Sequence, residues 1–543
     1  FHSIFFFILR IRFHFSFKNI ISEREQSDLL REITESLHID CSYDKDFLRL
    51  LTGEISRFKG SGKLLSDFDS SLLEKEAFTS LMLQYQERLS RRRLVDFDDM
   101  LLRCHQLFLD EPEELRRWQK KYRYILVDEF QDISPLQYQI VRMLALPENN
   151  LFIVGDDDQS IYAFRGSDPG IMLGFETDYP GAVRIMLSKN FRSRKEIVDF
   201  ASAVIARNRH RFPKTIEAVQ GPGGRALRYQ TEDTLQEYAL VLQNIQKELL
   251  QGTAPERIAV LFRTQTLARP LISEFVRLQL PYTTRDHTQN VYDSMVAQDL
   301  MAYLRLSLGT GTRRDFLRIM NKPNRFISRE AVQDRATDFA KLRRYYRDRH
   351  GMDLILDRFV EDLKAIRALP TEAALIYICM RVGYLSYLEW YSQENHTGLE
   401  GVHAIIDALE LSARQEPNKQ KWLQYAEHYG EELQRSAAKN QAEQGVRLMT
   451  YHGSKGLEFD VVHLIDVNEG ITPYTKAVTE AQIEEERRAF YVACTRAKRE
   501  LHIYFTENRY AKKCSPSRFL LDGLAPPSKT KGWVHTLPEI FRR

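Results

Sequence analysis

The sequence predicts an α/β protein with two parallel-sheet cores, each interrupted by a helical insertion. Three textures carry that expectation. Between Tyr122 and Ser188, the short apolar runs YRYILV, NLFIV and AVRIMLS are each followed by polar loop residues and a helical stretch. That strand–loop–helix rhythm belongs to parallel sheets, whose functional groups sit on loops at the carboxyl ends of strands. The same texture returns in RIAVLF, VRLMTYH and VVHLIDV, from Arg257 to Phe262 and from Val446 to Val467. Residues 20–93 and 288–443 instead carry charge-rich helical spacing, as in SDLLREITESL, FTSLMLQYQERL and KWLQYAEHYGEELQRSAAKN. GPGG at Gly221–Gly224 marks a break between elements.

The division expected is therefore a first core at 1–19 and 94–205 with its insertion at 20–93. A second core follows at 206–287 and 444–521, its insertion at 288–443, and a C-terminal extension at 522–543. A length of 543 residues suits three or four domains. A net charge of +3 leaves no bulk cation excess, so any nucleic-acid surface must be a local stripe. Cys41, Cys104, Cys379, Cys494 and Cys514 are scattered without a CxxC pair, which argues against a disulfide framework or zinc site and fits the cytoplasm. The Phe-rich start holds only Ile4–Leu9 as an uninterrupted apolar run, far short of the roughly 20 residues a membrane span needs. It reads as a buried element, and no membrane partner is expected. The first residue, Phe1, is not Met and suggests a fragment.

Five motifs carry chemistry. In YRYILVDEFQD a strand runs into Asp128 and Glu129. An acid there can hold Mg²⁺ beside a nucleotide, and its neighbour can polarise the attacking water. In LFIVGDDDQSIYAFRGS, Gln159 can sense a terminal phosphate, Tyr162 and Phe164 can stack on bases, and Arg165 can contact a phosphate. MLSKNFRS offers Phe191 as a flat ring for adenine and Arg192 for phosphate charge. VRLMTYHGSKGLEFD offers Thr450, His452 and Lys455 to DNA phosphate and Glu458 to a ribose hydroxyl. EEERRAFYVACTRAKREL presents Arg496 as a candidate arginine finger. Taken singly, each has a plainer reading as a loop cap, core ring, surface ion pair or helix-end charge.

In this order the motifs resemble those of superfamily 1 helicases of the UvrD, PcrA and Rep type. VDEFQD is similar to motif II, VGDDDQSIYAFRGS to motif III, LSKNFRS to motif IV, TYHGSKGLEFD to motif V and EEERRAFYVACTRAK to motif VI. LVDFDDML, IAVLFRTQTLARPL and SPSRFL agree, and the resemblance runs from about Phe1 to Leu521. It implies two RecA-like cores, 1A and 2A, with helical insertions 1B and 2B, and ATP and Mg²⁺ as cofactors. It also implies 3′→5′ movement on single-stranded DNA and at single-strand/duplex junctions, in repair or recombination, with repair or replication proteins as possible partners and nucleoid association in a bacterium. By position, Asp128 takes the metal, Glu129 the water, and Gln159, Arg192 and Arg496 the terminal phosphate. Phe191 covers adenine and Glu458 meets the sugar. Tyr162, Phe164, Arg165, Thr450, His452 and Lys455 face DNA. Phe164 stands where Trp is usual and Phe191 where Tyr is usual.

One part of the family pattern is missing from the sequence. No GxxGxGK[ST] phosphate loop occurs. KGSGKLL at Lys59–Leu65 fails the pattern, because Leu64 follows Lys63 and Arg57 stands at the earlier glycine position. By family spacing, roughly 70 residues bearing that loop are expected before Phe1. The chain by itself is then expected not to turn over ATP appreciably. The competing reading is a short form that binds DNA or a partner without hydrolysing ATP. A helicase subunit of a helicase–nuclease complex ranks third.

Overall fold

The computed structural model describes residues 2–39, 45–284, 290–332, 338–394, 399–439, 444–475, 477–509 and 512–523. The chain is α/β with parallel sheets and divides into two compact units, taken in turn here. The expected extension 522–543 lies outside the described residues beyond Gly523.

The first unit comprises residues 1–188, 205–215 and 478–491. Helix α1 (His2–Phe13) buries Phe5, Ile8 and Leu9, one stripe at helical spacing, in a cluster with Met100, Cys104, Leu107 and Phe108 of α5 (Phe97–Asp110). Between them, α2 (Glu23–Ser36), α3 (Lys45–Ser61) and α4 (Lys75–Arg91) form a separate cluster around Leu30, Leu51, Phe78 and Tyr85. Helix α2 starts with the capping box Ser22–Glu25 and α5 with Asp96–Asp99. After α6 (Pro112–Lys121) come β1 (Ile125–Val127), α7 (Pro135–Ala145) and β2 (Leu151–Ile153), then the short α8 (Pro169–Leu173) and α9 (Phe175–Asp178). Strands β1 and β2 pair in parallel, Leu126 opposite Phe152. Ile125, Val127, Leu151 and Ile153 join a cluster with Phe130, Tyr138 and Phe175. Leu126 and Phe152 alternate to the other face and are exposed.

AVRIMLS was expected as a third strand, and the structure corrects this. Only Lys189–Asn190 (β3) is paired, with Glu217–Ala218 (β4). Val183, Ile185 and Leu187 are exposed. Among the described residues no strand runs beside 182–188 to take its backbone hydrogen bonds.

The second unit comprises 189–204, 216–477 and 492–543. Its elements begin with β3, α10 (Lys195–Ile205), β4, β5 (Arg225–Thr231), α11 (Thr234–Leu250), β6 (Ile258–Phe262), α12 (Arg269–Arg277) and β7 (Tyr282–Thr284). Eight of the described α-helices, α13 to α20, follow between Met295 and Lys439, then β8 (Val446–Thr450) and β9 (Phe459–Leu464). Helix α21 (Glu480–Cys494) gives its residues up to Tyr491 to the first unit, and β10 (Ala497–Thr506) follows in the second, ahead of β11 (Asn508–Arg509), β12 (Lys512–Lys513) and α22 (Arg518–Asp522). The six-stranded sheet has the order β5-β10-β9-β6-β8-β7, every pairing parallel. All five residues of β6 are buried, as a strand covered on both faces requires. Val260 and Phe262 share one continuous cluster with Leu300, Tyr303 and Phe359 of the helical stretch. No helix of the described residues is long and apolar enough to cross a membrane.

Candidate nucleotide and nucleic-acid sites

In the first unit the chain leaves β1 and turns sharply. Asp128 and Glu129 are exposed, and Glu129 has the left-handed backbone φ of 51°, uncommon for a residue with a side chain. Gln131 fixes this turn. It is fully buried, its Nε2 donates to Glu129 Oε2 at 2.6 Å, and its Oε1 accepts from the Asp156 N–H at 2.9 Å. A Cβ on Gly155 would lie 2.5 Å from that Oε1, so glycine lets the two loops close. Asp156 in turn accepts from Gln159 Nε2 at 2.7 Å. Glu129 and Gln159 are thus joined through Gln131 and Asp156. Exposed carboxylates at a strand end have the hard oxygen donors that Mg²⁺ takes, and Asp128 is the acid that fits this role.

The three acids after Gly155 do different work. Lys214 pairs with Asp156, with Asp157 at 2.6 Å and with Asp158 at 3.0 Å. Arg211 holds Asp158 in a two-pronged bond at 2.8 and 2.6 Å. Burial opposes the charge on Lys214, but the three carboxylates outweigh it and raise its pKa. The carboxylates lie close enough to hold a cation, and Lys214 and Arg211 supply that charge.

Beyond the acids the loop turns outward. Phe164 is 48% exposed, and the Arg165 guanidinium lies 5.6 Å from the ring centres of both Tyr162 and Phe164. Two residues of α21 grip this loop: Glu485 accepts from the Ala163 N–H at 3.0 Å, and Arg488 donates to the Ser160 carbonyl at 3.0 Å. Gly166, at φ 88°, sits against Arg57 of α3, where a Cβ would come within 3.4 Å of its Cα. The KGSGKLL stretch lies at the end of the same helix. Lys59 is buried between Asp96 at 2.6 Å and Asp99 at 2.7 Å, and Gly60 packs on Ser134. Its first lysine, Lys59, and first glycine, Gly60, are packing groups, whereas Lys63 is exposed, and LVDFDDML supplies the two acids.

The second unit holds a cavity of about 500 Å³ lined by Lys189, Asn190, Phe191, Arg192, Gln220, Glu458 and Lys498. Asn190 Oδ1 accepts from the N–H groups of Arg192 at 3.0 Å and Ser193 at 2.9 Å, a local turn that presents Phe191 with 66% exposure. Arg192 Nε donates to Glu458 Oε2 at 2.9 Å, and Lys498 Nζ pairs with the other oxygen. Hydrogen bonds from Lys498 and Arg192 hold the Glu458 carboxyl below its ordinary range. Lys189, Arg192 and Lys498 thus line the cavity together with the single carboxylate Glu458 and the exposed ring of Phe191.

Arg496 is placed differently from an exposed finger. It is 1% exposed and donates to the carbonyls of Val492 at 2.9 Å and Leu457 at 3.1 Å. In this conformation it anchors the loop just before Glu458. Thr450 ends β8, its hydroxyl accepting from the Gly453 N–H at 3.1 Å, with His452 and Lys455 on the following turn. The candidates therefore gather as three sets: Asp128, Glu129 and Gln159 with Tyr162, Phe164 and Arg165; Phe191, Arg192 and Glu458; and Thr450, His452 and Lys455. Gln131 and the Gly155 turn mark their motifs in the sequence, but their part in joining the two loops does not show there. Sequence reasoning missed Lys189, Gln220 and Lys498, and the pairing of Lys214 and Arg211 with acids more than fifty positions away, which no local pattern signals.

Residues 1–180 match the UvrD/REP helicase N-terminal domain, and 185–508 match the UvrD-like helicase C-terminal domain. The first match starts at residue 1 and does not bear out the expected N-terminal truncation. YjcD of Bacillus subtilis (strain 168) is 33% identical over 462 residues, covering 82% of this chain and 60% of that protein. The ATP-dependent DNA helicase PcrA of Staphylococcus epidermidis is 31% identical over 529 residues, covering 92% of this chain and 72% of its own length. PcrA of Staphylococcus aureus is 31% identical over 536 residues, covering 92% and 71%. The chain belongs to the UvrD-like DNA helicase family.

Proposed function

We propose that this chain is the greater part of an ATP-dependent motor that moves 3′→5′ on single-stranded DNA and separates strands at junctions, in repair or recombination. The observation that carries this reading is the chain of contacts from Glu129 through Gln131 and Asp156 to Gln159. It joins the acid after β1 to the loop bearing Tyr162, Phe164 and Arg165. A change at the nucleotide can then reach the base-stacking loop through these four residues, by way of the Asp156 backbone N–H.

In this reading Asp128 holds Mg²⁺, which neutralises phosphate charge when bound. Glu129 orients the attacking water and Gln159 senses the terminal phosphate. Phe191 covers the adenine, Glu458 accepts from the ribose, and Arg192 meets phosphate charge. Arg496 reaches phosphate only after leaving the carbonyls of Val492 and Leu457. Tyr162, Phe164 and Arg165 stack on and grip the strand, and Thr450, His452 and Lys455 touch its backbone. The cores 1A (1–19, 94–205) and 2A (206–287, 444–521) and the insertions 1B (20–93) and 2B (288–443) remain the domain map we favour.

We further propose that these 543 residues do not turn over ATP by themselves. Two observations support this. The sequence contains no GxxGxGK[ST] loop. The outward residues of the β1–β2 ribbon, Leu126 and Phe152, are apolar and exposed, and so are Val183, Ile185 and Leu187 further along the chain.

Anisotropy of a labelled single-stranded oligonucleotide tests the DNA side. Binding that weakens steeply from 50 to 200 mM salt is expected of a strand gripped by its phosphates. No binding at the lower salt would refute the motor reading.

A further inference from the structure

Glu458 has two cationic partners in the second-unit cavity, and they are held differently. Arg192 stands on the Asn190 turn, its Nε 2.9 Å from Glu458 Oε2 and its Nη1 3.5 Å from the Thr495 carbonyl. Lys498 stands at the start of β10, where the register against β9 slips between Ala497 and Glu500. Such a bulge re-aims a side chain and recurs beside functional sites. The Lys498 carbonyl also accepts from the Arg194 N–H at 3.0 Å, which fixes the backbone beneath the side chain. Both ion pairs are well exposed to solvent, with side-chain exposures of 32% for Arg192, 37% for Lys498 and 45% for Glu458. Pairs of that kind contribute little to folding. The arrangement makes more sense as part of the cavity's chemistry.

We propose that Lys498 is a positioning residue that holds Glu458 for the ribose contact given to it above. The proposal rests on the nucleotide reading above. A carboxylate paired with Arg192 alone would lose its partner when that guanidinium turned to a phosphate. Lys498 occupies Oε1 and keeps the group ionised and in place. Departure of Arg192 opens Oε2, whose lone pairs accept from the 2′ or 3′ hydroxyl of a nucleotide whose base lies on Phe191. One cation is thereby free to move while the other holds the sugar contact.

The test is calorimetric titration of the 543-residue chain with ADP and with 2′,3′-dideoxy-ADP. A hydroxyl donated to a carboxylate should make ADP bind on the order of tenfold more tightly than the dideoxy form. In Lys498→Met that ratio should fall close to one, with dideoxy-ADP affinity and thermal melting little changed. Lys498→Arg should restore much of the ratio. If Lys498 instead binds phosphate, Lys498→Met weakens both ligands equally and leaves the ratio intact, which overturns the proposal. If the unmutated chain binds neither ligand, the nucleotide reading itself fails. That outcome is distinct from an unchanged ratio.

Discussion

Leu126 is the middle residue of β1 and is 72% exposed, whereas Leu261 in β6 is fully buried. Both lie on strands that end near residues of the candidate sites, yet their surroundings differ. Strand β6 lies between β9 and β8 in a six-stranded sheet, and its apolar cluster continues into the helical stretch. Strand β1 has a single partner among the described residues and one covered face. Around its loops the first unit relies on buried charge: Lys59 between Asp96 and Asp99, and Lys214 among Asp156, Asp157 and Asp158. The difference teaches that the second unit carries a self-sufficient sheet. The first positions its loops by ion pairs on a sheet open along one face.

The comparison can be broken most decisively at Lys59. Lys59→Ala leaves two buried carboxylates without their cation and should cost about 3–5 kcal/mol in denaturant unfolding of the first unit. A loss under about 1 kcal/mol, typical of exposed pairs, would show that the ion cluster does not hold that unit.

Next in size is the contrast between the two leucines. Leu261→Ala should cost about 3 kcal/mol through lost burial and the cavity left behind. Leu126→Ala should stay within about 0.5 kcal/mol, because its side chain is already in water. Equal losses in urea titrations of the two variants would mean that the apolar face of β1 is covered in solution.

The same alternation explains what the sequence could and could not convey. RIAVLF read as a buried strand because five consecutive apolar residues demand cover on both faces, and the second unit provides it. AVRIMLS looked alike, but side-chain character says nothing about whether a neighbouring strand exists to pair with it. The acids after β1 and the aromatic–Arg loop were legible because strand, turn and side chains are contiguous in the chain. Lys214 with the Asp156–Asp158 acids, and Lys498 with Glu458, were not, because each pair meets only through the fold. Arg496 was legible as a candidate finger because its motif is contiguous, while its burial depends on the carbonyls of Val492 and Leu457 around it.

A smaller effect sharpens the role of the first unit's outer loop. Phe164→Ala should weaken single-strand binding on the order of tenfold, one base stack, with melting unchanged. Unaltered affinity in anisotropy at moderate salt would remove Phe164 from the DNA surface.

The smallest expected effect concerns pH. Burial, with Asp96 close by, pushes the Asp98 carboxyl up to about 6, although Ser56 donates to it at 2.6 Å. The folded chain holds this proton more tightly than the unfolded one, whose carboxyl titrates near 4. Asp98 therefore contributes stability that is fully present below about pH 4 and is lost as pH rises through about 6. Asp98→Asn should exceed the parent at pH 7.5, with the gap closing at pH 4. A gap independent of pH would place that carboxylate in water.

As proposed above, Asp128, Glu129, Gln159 and the cavity around Phe191, Arg192 and Glu458 serve a motor, yet the sequence holds no GxxGxGK[ST] loop. The most direct measurement is the rate of phosphate release from ATP by the 543-residue chain with Mg²⁺, with and without single-stranded DNA. No turnover above background is expected in either case, although the same sample binds the DNA. DNA-stimulated turnover that disappears in Glu129→Gln would contradict that expectation.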